Sequence, residues 1–420
     1  MSGNRDQYLF AFRALPFLDS LDEDGGCGVS LSPTRLLVSC PETVGRVFRS
    51  DRLARLEGTS TLGPLVGPQS LLFANGTRHG AYRKTIGPAL RGERLRGYRE
   101  LVLSTARAAT NQLTPGSVFR LPEWTRSVTL RIIGQIVLGE VDGRFVREFT
   151  EWVESVLGSR RRTLLYRYAR LHPALPSLWR TFLRQRETID RELLDHVRGR
   201  LDDNSVAGLL MAGDSPVGSL DDDELRDQLV SLLFAGHETT ASALAWTLFW
   251  LDRHEDVRRN VLDELAATTS DGADAVEVPL LDAVCQESLR ISPPAMIAGN
   301  RVFDNTGELV GRDLPAGSRL TPCIYLAHRR RDVYPEPHRF DPGRFLGRRL
   351  PSQEYFPFGG GVRRCLGADL ATLELRMITA AVLRGVSLRC VNPELGVPHL
   401  RGPAMGPGPG LTMGVLACRR

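Results

Sequence analysis

The sequence predicts a mainly helical protein with a minor β portion. Apolar residues recur with helical spacing over most of residues 79–267, with breaks at proline- and glycine-rich points. Short apolar and β-branched runs bounded by turn residues occupy about 27–60 and 292–325. A glycine-rich turn then leads into a last long helical run, residues 367–386. We therefore expect one domain over residues 1–420, with strands in those two short segments and helix in the remainder.

Composition and charge narrow the class of protein. The 420 residues are 42% hydrophobic and 25% charged, as in ordinary globular proteins. The net charge of +5 is spread along the chain without a recognised nucleic-acid module, so we expect no nucleic-acid partner. The N-terminus has no apolar run long enough for a signal or a membrane anchor. Seven scattered cysteines argue against a zinc site or a disulfide framework and predict a cytoplasmic protein.

The first strand-rich segment is expected to hold two strands and a short helix. The strands are Val29–Leu31 and Arg35–Ser39, and Pro41 favours the first position of the helix that follows. Residues 56–78 then have the composition of a loop but carry large apolar side chains. An apolar loop of this length is typical of a lid or a pocket wall.

A long helix is predicted to begin at the acidic run Asp221–Glu224, because acids favour the positive end of a helix. About 30 residues at 1.5 Å each give a length of roughly 45 Å, enough to cross the domain. A polar block at 235–240 interrupts its apolar body and excludes a membrane-spanning helix. Within it, Glu238 and Thr239 form an acid–alcohol pair suited to proton transfer. The alternative is a helix kink in which the threonine bonds back to a carbonyl.

Charged residues at helical spacing mark two other segments. Glu287 and Arg290 lie three apart on one helix face, just before the helix-ending prolines Pro293 and Pro294. Exposed pairs of this kind are common and contribute little to stability. His79 and Arg83 lie four apart, so they also share one helix face.

The most informative segment is Phe358–Gly367, a glycine-rich turn that places Cys365 before the last long helix. Backbone N–H groups, the positive helix end and neighbouring arginines are expected to lower the pKa of the Cys365 thiol. Glycines let the backbone approach a flat ligand closely. A thiolate that holds a heme iron needs such surroundings, because it must stay ionised while it donates electron density to the iron. The alternative is an ordinary buried cysteine beside a glycine turn.

This segment resembles the heme-binding loop of the cytochrome P-450 family through Phe358, Gly361, Arg363, Cys365 and Gly367. The resemblance covers nearly the whole chain, from the helix of His79 to a C-terminal hairpin expected at 402–417. It implies the cytochrome P-450 fold, in which a heme lies between the long central helix and the cysteine-ligand loop.

The resemblance also implies which residues hold the cofactor and support its loop. Cys365 would be the axial ligand of the iron and hence the metal site. The other cofactor-binding residues would be His79, Arg83, Arg301, Phe358, Arg363 and Gly367, of which the basic ones would pair with the heme propionates. A structural trio would consist of Glu287, Arg290 and Arg344.

Three residues of the central helix would be catalytic. Gly236 would leave room for dioxygen, Thr239 would donate to it or to a water, and Glu238 would link to solvent protons. The resemblance places the substrate pocket against apolar residues from three segments, namely Leu65, Leu72, Leu233, Phe234, Met296 and Ile297.

The function implied is that of a bacterial-type heme-thiolate monooxygenase with heme b. It would insert one oxygen atom of dioxygen into an apolar organic substrate, by hydroxylation or epoxidation, in the tailoring of a specialised metabolite. Electrons would come from NAD(P)H through a ferredoxin and its reductase. Two alternatives remain: a heme-thiolate enzyme that does not insert oxygen (peroxide-driven, coupling or dehydrating), and a heme-binding sensor. Peroxide-driven relatives usually lack the acid–alcohol pair that this chain keeps.

Overall fold

The computed structural model describes residues 2–21, 26–57, 62–158, 162, 168, 176–199, 202, 204–268, 277–304, 307–309 and 312–419. Helices dominate these residues, as the sequence predicts. They are α1 (Ser2–Phe12), α2 (Ala14–Asp19), α3 (Pro41–Arg49), α4 (Gly63–Val66), α5 (Gly76–Ile86), α6 (Glu93–Asn111), α7 (Leu121–Leu138), α8 (Gly143–Leu157), α9 (Pro176–Gly199), α10 (Val206–Met211), α11 (Asp222–Arg253), α12 (Glu255–Ala267), α13 (Pro279–Ile291), α14 (Ile324–Ala327) and α15 (Ala368–Gly385).

The strands are short and fall in the predicted segments and near the C-terminus, except for β4, which lies in the part of the chain expected to be helical. They are β1 (Gly28–Ser32), β2 (Arg35–Val38), β3 (Arg55–Glu57), β4 (Val118–Arg120), β5 (Asn300–Phe303), β6 (Gly307–Leu309), β7 (Arg312–Leu314), β8 (Ser318–Pro322), β9 (Val386–Cys390), β10 (Pro398–Arg401), β11 (Ala404–Pro407) and β12 (Thr412–Cys418).

Four sheets organise these strands. The largest has the order β1-β2-β8-β5-β3, in which β2 and β8 are parallel and the other neighbours antiparallel. A second sheet has the order β4-β12-β9, and β10-β11 and β6-β7 form two-stranded sheets. The large sheet therefore joins the N-terminal strands to strands of the segment at residues 300–322.

The central helix α11 is the axis of the helical part. The side chain of its N-cap, Asp221, accepts a hydrogen bond from Glu224 N at 2.7 Å, and acids fill the first turn. The helix has 32 residues and is buried over most of its length. It packs along α7, where Thr129 Oγ1 donates to His237 O at 3.1 Å. None of the described helices is both long enough and apolar enough to span a bilayer.

The C-terminal hairpin predicted at 402–417 is wrong. Strand β11 pairs with β10, which precedes it, whereas β12 pairs with β4 and β9 in another sheet. The Gly-Pro segment between β11 and β12 therefore connects two sheets instead of turning a hairpin. Local turn composition cannot reveal this, because β12 lies between β9 and β4, and β4 is distant in sequence.

The structure also contains a disulfide that the cysteine spacing did not predict. Cys27 and Cys40 are bonded, with Cα atoms 4.7 Å apart, although 13 positions separate them. Strands β1 and β2 form a hairpin in which Gly28 pairs with Val38, and this pairing brings the two flanking cysteines together. The expectation that the cysteines are unpaired is therefore wrong at this one pair.

Candidate active site

Two glycines of the cysteine loop have positive φ, which lets the chain turn twice before Cys365. Gly359 and Gly361 each have φ of +66°. A Cβ on Gly360 would overlap the Phe48 ring, and one on Gly361 would overlap the Asp51 carboxylate. Cys365 N donates to Phe358 O at 2.9 Å, which closes the loop. The glycines are thus needed for the contact with the residues at and after the end of α3.

The Cys365 residue is exposed, whereas Cys285, Cys323 and Cys390 are buried. The expected effects of a backbone N–H and of neighbouring arginines on the Cys365 thiol are present and lower its pKa, but they do not decide the net direction in the protein without iron. Desolvation by the atoms packed around the loop is the largest influence and raises the pKa of Cys365. The Gly367 N–H and nearby arginines act in the opposite direction but do not outweigh it. Coordination of a metal ion would itself deprotonate the thiol.

Four basic side chains converge near this loop. Burial, followed by the charges of Arg363 and Arg83, lowers the pKa of His79 to about 4. Burial, followed by the charges of Arg301 and other groups, lowers the pKa of Arg363 to about 10. These mutual effects show that positive charges are crowded here and that a nearby anion would stabilise them.

The contacts of these basic groups differ. Arg363 donates to Ala74 O and to Asn75 Oδ1, both at 2.7 Å, and Arg83 donates to the carbonyl of Arg364 at 2.8 Å. Arg301 is buried and pairs with Asp51 at 2.9 Å, so part of its charge is already compensated. Arg83 and Arg363 therefore have more uncompensated charge for an anion than Arg301, whereas His79, with its lowered pKa, is neutral near pH 7 until an anion lies beside it.

The central helix has one accessible face, at the polar block. Ala235, Gly236, Thr239 and Ser242 are partly exposed, although the helix on either side is almost wholly buried. Their spacing of three and four places them on one face. Leu71–Ala74 from the predicted lid and Ala295–Gly299 before β5 are also partly exposed.

Packing and hydrogen bonding also explain why glycine occupies position 236 and threonine occupies position 239. A Cβ on Gly236 would lie 2.5 Å from Ile133 Cγ1, so the glycine permits close packing of α11 on α7. This packing explains the glycine without reference to dioxygen, and room for dioxygen stays a prediction. Thr239 Oγ1 donates to Ala235 O at 2.8 Å, which is the back-bonding of the alternative interpretation. Its oxygen still has lone pairs with which to accept a hydrogen bond.

Glu238 points into a buried charge cluster. Arg401, at the end of β10, donates to it from Nε at 3.0 and 3.2 Å, and the same arginine contacts Glu154 of α8 at 3.0 Å. Burial alone would raise the pKa of Glu238. The His237 hydrogen bond and charge, with the charges of Arg401 and Arg126, instead hold it well below the usual range. A cavity of about 630 Å³ beside the cluster is lined by residues that include Arg126, Glu154 and Arg401.

The trio before the cysteine loop is close together and buried. Arg290 donates to the two carboxylate oxygens of Glu287 at 2.6 and 2.8 Å, and both side chains are fully buried. Arg344 Nε lies 3.6 Å from Glu287 Oε1. Arg290 also donates to the carbonyls of His328 and Pro337, both at 2.8 Å. These bonds tie α13 to the segment that leads into the cysteine loop.

The predicted pocket residues divide into two groups. Leu65, Leu233 and Phe234 are at most 3% exposed and belong to the core, so they offer almost no surface to a ligand. Leu72, Met296 and Ile297 are partly exposed. The prediction that the first group lines the pocket is corrected. The apolar pattern of the sequence does not separate residues that face a pocket from residues that face the core.

Sequence reasoning missed several residues around the site. Phe48 and Asp51 pack against the cysteine-loop glycines, and Glu154 and Arg401 surround Glu238. Each comes from a distant part of the chain, and no local motif marks it. A search for partners of the buried acid among the arginines would have been the only available signal.

This set of residues fits a heme. An exposed thiol lies on a glycine loop, basic groups with uncompensated charge lie beside it, and the central helix has an accessible face. A thiolate, propionate partners and an open face are what a heme requires of its surroundings. Among the described residues there is no cluster of three or more His, Cys, Asp or Glu side chains that would hold a bare metal ion.

Comparisons with known proteins agree with this fit. The family model for cytochrome P450 matches residues 30–402. A protein named cytochrome P450 135A1, from Mycobacterium tuberculosis, is 30% identical over 98% of this chain and 89% of its own length. The cyclooctat-9-en-7-ol 5-monooxygenase of Streptomyces melanosporofaciens is 30% identical over 90% of this chain and 86% of its own length.

Solved structures show the same fold. The retinoic acid-bound cyanobacterial CYP120A1 has a TM-score of 0.79 and 25% identity, with 91% of this chain and 89% of that chain covered. The heme domain of cytochrome P450DA has a TM-score of 0.78 and 20% identity, with 92% and 87% covered. The chain therefore belongs to the cytochrome P450 family, whose members are heme-thiolate monooxygenases that use dioxygen and a redox partner.

Proposed function

We propose that the chain, as one domain over residues 1–420, binds heme b through Cys365 and inserts one oxygen atom into a C–H or C=C bond of an apolar organic substrate. The observation that carries this proposal is the exposed Cys365 on its glycine loop, together with the partly exposed Thr239 of the central helix and the buried acid Glu238 beside it. The heme, when bound, supplies the activation of dioxygen. The chain's own residues have to hold the heme, exclude bulk water and deliver protons.

The propionate-binding role falls to His79, Arg83 and Arg363, with a smaller part for Arg301. Phe358 and Gly367 complete the loop around the cysteine. Two carboxylates brought beside the crowded basic groups would raise the lowered pKa values of His79 and Arg363 toward their usual range. The fit is therefore electrostatically favourable for both partners.

The proton-transfer role falls to Thr239 and Glu238. The Thr239 hydroxyl donates to Ala235 O and accepts a hydrogen bond from a water on the open face of the helix. Glu238, which stays ionised within its arginine cluster, would accept hydrogen bonds from waters that carry protons between solvent and Thr239 through the cavity beside Glu154 and Arg401. The pair would thus connect the open face of the helix with solvent.

Substrate and partner are proposed by class. A relative is named for the oxygenation of a cyclic alcohol, cyclooctat-9-en-7-ol, which supports an apolar cyclic substrate and a place in specialised metabolism. Electrons would come from NAD(P)H through a ferredoxin and its reductase, in the cytoplasm. The partly exposed residues Leu72, Met296 and Ile297 provide apolar surface for such a substrate.

Isotope labelling tests the proposal. The heme-loaded enzyme would be supplied with reduced ferredoxin and ¹⁸O₂ and screened against apolar cyclic hydrocarbons and their alcohols. We expect a product that carries one labelled oxygen, with NADH consumed in proportion. Product formed only with added peroxide, or an unlabelled dehydrated or coupled product, would contradict oxygen insertion from dioxygen.

A further inference from the structure

Three consecutive polar side chains of the central helix are buried against the lid loop, which we define as residues 65–74. Arg226 and Asp227 are each 2% exposed and Gln228 is fully buried. They lie in the second turn of α11, upstream of the accessible polar block. Buried polar groups are costly unless they are hydrogen-bonded, so three in a row require specific partners.

The lid loop supplies most of those partners. Arg226 Nη2 donates to Leu65 O at 3.1 Å, and Asp227 Oδ2 accepts from Gln69 N at 3.0 Å. Gln228 makes two bonds, because its Nε2 donates to Gln69 O and its Oε1 accepts from Leu71 N, both at 2.8 Å. The helix therefore satisfies the backbone of the loop as a strand partner would.

The loop sequence is matched to these side chains. Gly67 has φ of +82°, and a Cβ at this position would overlap the Asp227 carboxylate. Arg226 also pairs with Asp190 of α9 at 2.6 Å and with Asp227 at 3.0 Å. The same three residues thus join the lid loop, the central helix and α9.

The other end of the loop is tied to the cysteine loop. Arg363 donates to Ala74 O and to Asn75 Oδ1, both at 2.7 Å. Between the two attachments, Leu72 and Phe73 keep partly exposed side chains. If the hydrogen bonds to residues 226–228 broke, this middle portion would be free to move, while the hydrogen bonds from Arg363 stayed intact.

We propose that Arg226, Asp227 and Gln228 form a latch that positions the lid loop and controls the entry of bulky organic ligands. They are positioning residues, since they act through Leu72 and Phe73. The inference rests on the proposed function, because it assumes that ligands reach the iron past this loop. Opening requires several buried hydrogen bonds to break, so the latch keeps the open state rare.

The test compares two variants of the heme-loaded enzyme. Gln228→Met keeps the side-chain length but removes both bonds to the loop. Ser231→Ala is the matched control, because Ser231 Oγ donates to Gln228 O at 3.0 Å inside the same helix and does not bond the loop. Association of imidazole and of 4-phenylimidazole with the iron would be followed by absorbance. Hydrogen–deuterium exchange of residues 65–74 would be measured on the same samples.

We expect Gln228→Met to bind 4-phenylimidazole about ten-fold faster, from two lost hydrogen bonds, with imidazole almost unchanged. Exchange in 65–74 should rise by a similar factor, while Ser231→Ala matches the wild type in both. If Gln228→Met yields too little holoenzyme, the same measurements are made on Asp227→Asn, which keeps the side-chain shape.

Unchanged exchange and association in a folded Gln228→Met or Asp227→Asn enzyme would overturn the latch. A wild-type protein that holds heme but gives no spectral change with either imidazole would contradict the proposed function. In that case, hydrogen–deuterium exchange of residues 65–74 would still decide whether Gln228 holds the loop.

Discussion

Arg401 and Glu238 form a buried ion pair between the end of a short strand near the C-terminus and the middle of the central helix, with Nε and Oε2 3.0 Å apart. Glu238 is 3% exposed, and its pKa lies well below the usual range although burial alone would raise it. The ionised form of this acid thus depends on charges from distant parts of the chain.

The first prediction concerns the effect of Arg401 on the ionisation of Glu238 and on stability. A carboxyl whose pKa is lowered in the folded state stabilises the protein above its unfolded pKa of about 4.3, and this contribution is lost as pH falls. Arg401→Met should lower the free energy of unfolding by about 3–5 kcal/mol at neutral pH, because it leaves a buried carboxylate with its His237 hydrogen bond but without its directly bonded arginine.

The pH dependence provides the check. The difference between wild type and Arg401→Met should shrink as pH falls through 4, because the carboxyl of the variant takes up a proton while wild-type Glu238 stays ionised. Arg401→Lys, which keeps the charge, should recover part of the loss. A difference that is the same at pH 7 and pH 4 would show that Arg401 stabilises the fold by packing alone.

The second prediction concerns Thr239. Thr239→Ala should leave heme content and substrate binding near normal but lower the product formed per electron pair roughly ten-fold, because the hydroxyl that accepts a hydrogen bond from a water is lost from the accessible face. The matched control is Thr247→Ala. Thr247 makes the same bond one turn back, to Ala243 O at 2.9 Å, but is fully buried in the core. Peroxide release and product are measured together; equal coupling in both variants would return Thr239 to a purely structural role.

The third prediction concerns the buried trio. Arg290→Met should remove the two hydrogen bonds that Glu287 receives from Arg290 and leave the more distant Arg344 as the cation beside this buried carboxylate, at a cost of about 3–5 kcal/mol. We expect little folded, heme-loaded protein. Arg339→Met is the control, because its pair with Glu336 at 3.1 Å is mostly exposed and contributes little. Heme content and urea unfolding measure both variants, and a stable but inactive Arg290→Met enzyme would point to a catalytic role instead.

The fourth prediction concerns the redox partner. Arg364 of the cysteine loop is exposed, and so are Arg348 and Arg349 in the segment that precedes the loop in sequence. An acidic ferredoxin should reduce the enzyme faster at low ionic strength, because the screening length is only about 10 Å at 0.1 M salt. The double variant Arg348→Glu/Arg364→Glu should slow reduction about ten-fold at low salt.

The control for this prediction is charge reversal at Arg191, which is exposed on α9 and pairs with Glu187. Stopped-flow reduction at two salt concentrations gives the rates, and substrate affinity should not change. Rates that depend on neither salt nor the double variant would place the docking surface elsewhere.

The fold and the cysteine loop were predictable because their signals are local. The glycine spacing before Cys365 and the acidic start of α11 at Asp221 each follow from the conformation of neighbouring residues. The cofactor and fold implied by the resemblance agree with the family match. The prediction failed where tertiary pairing decides: the partner of β12, the Cys27–Cys40 bond and the packing of Gly236 on Ile133 all depend on distant residues.

The candidate site also combines features that local sequence predicts with features that depend on distant residues. His79 and Arg83 share a helix face, as their spacing predicts. The pKa of Cys365 could not be predicted, because it is set by the atoms packed around the loop, and their desolvation outweighs the arginine charges. The partners of Glu238 and the latch residues were also missed, since an arginine-rich sequence offers too many candidates and only the structure selects among them.

The central claim is that Cys365 ligates the heme iron, and the spectrum of the reduced enzyme with carbon monoxide tests it most directly. Cys418 is the other exposed free cysteine, so Cys418→Ala is the matched control for Cys365→Ala. We predict that the wild type and Cys418→Ala absorb near the wavelength that gives the family its name and that Cys365→Ala lacks this band. An unchanged band in folded, heme-loaded Cys365→Ala would contradict the assignment of the ligand.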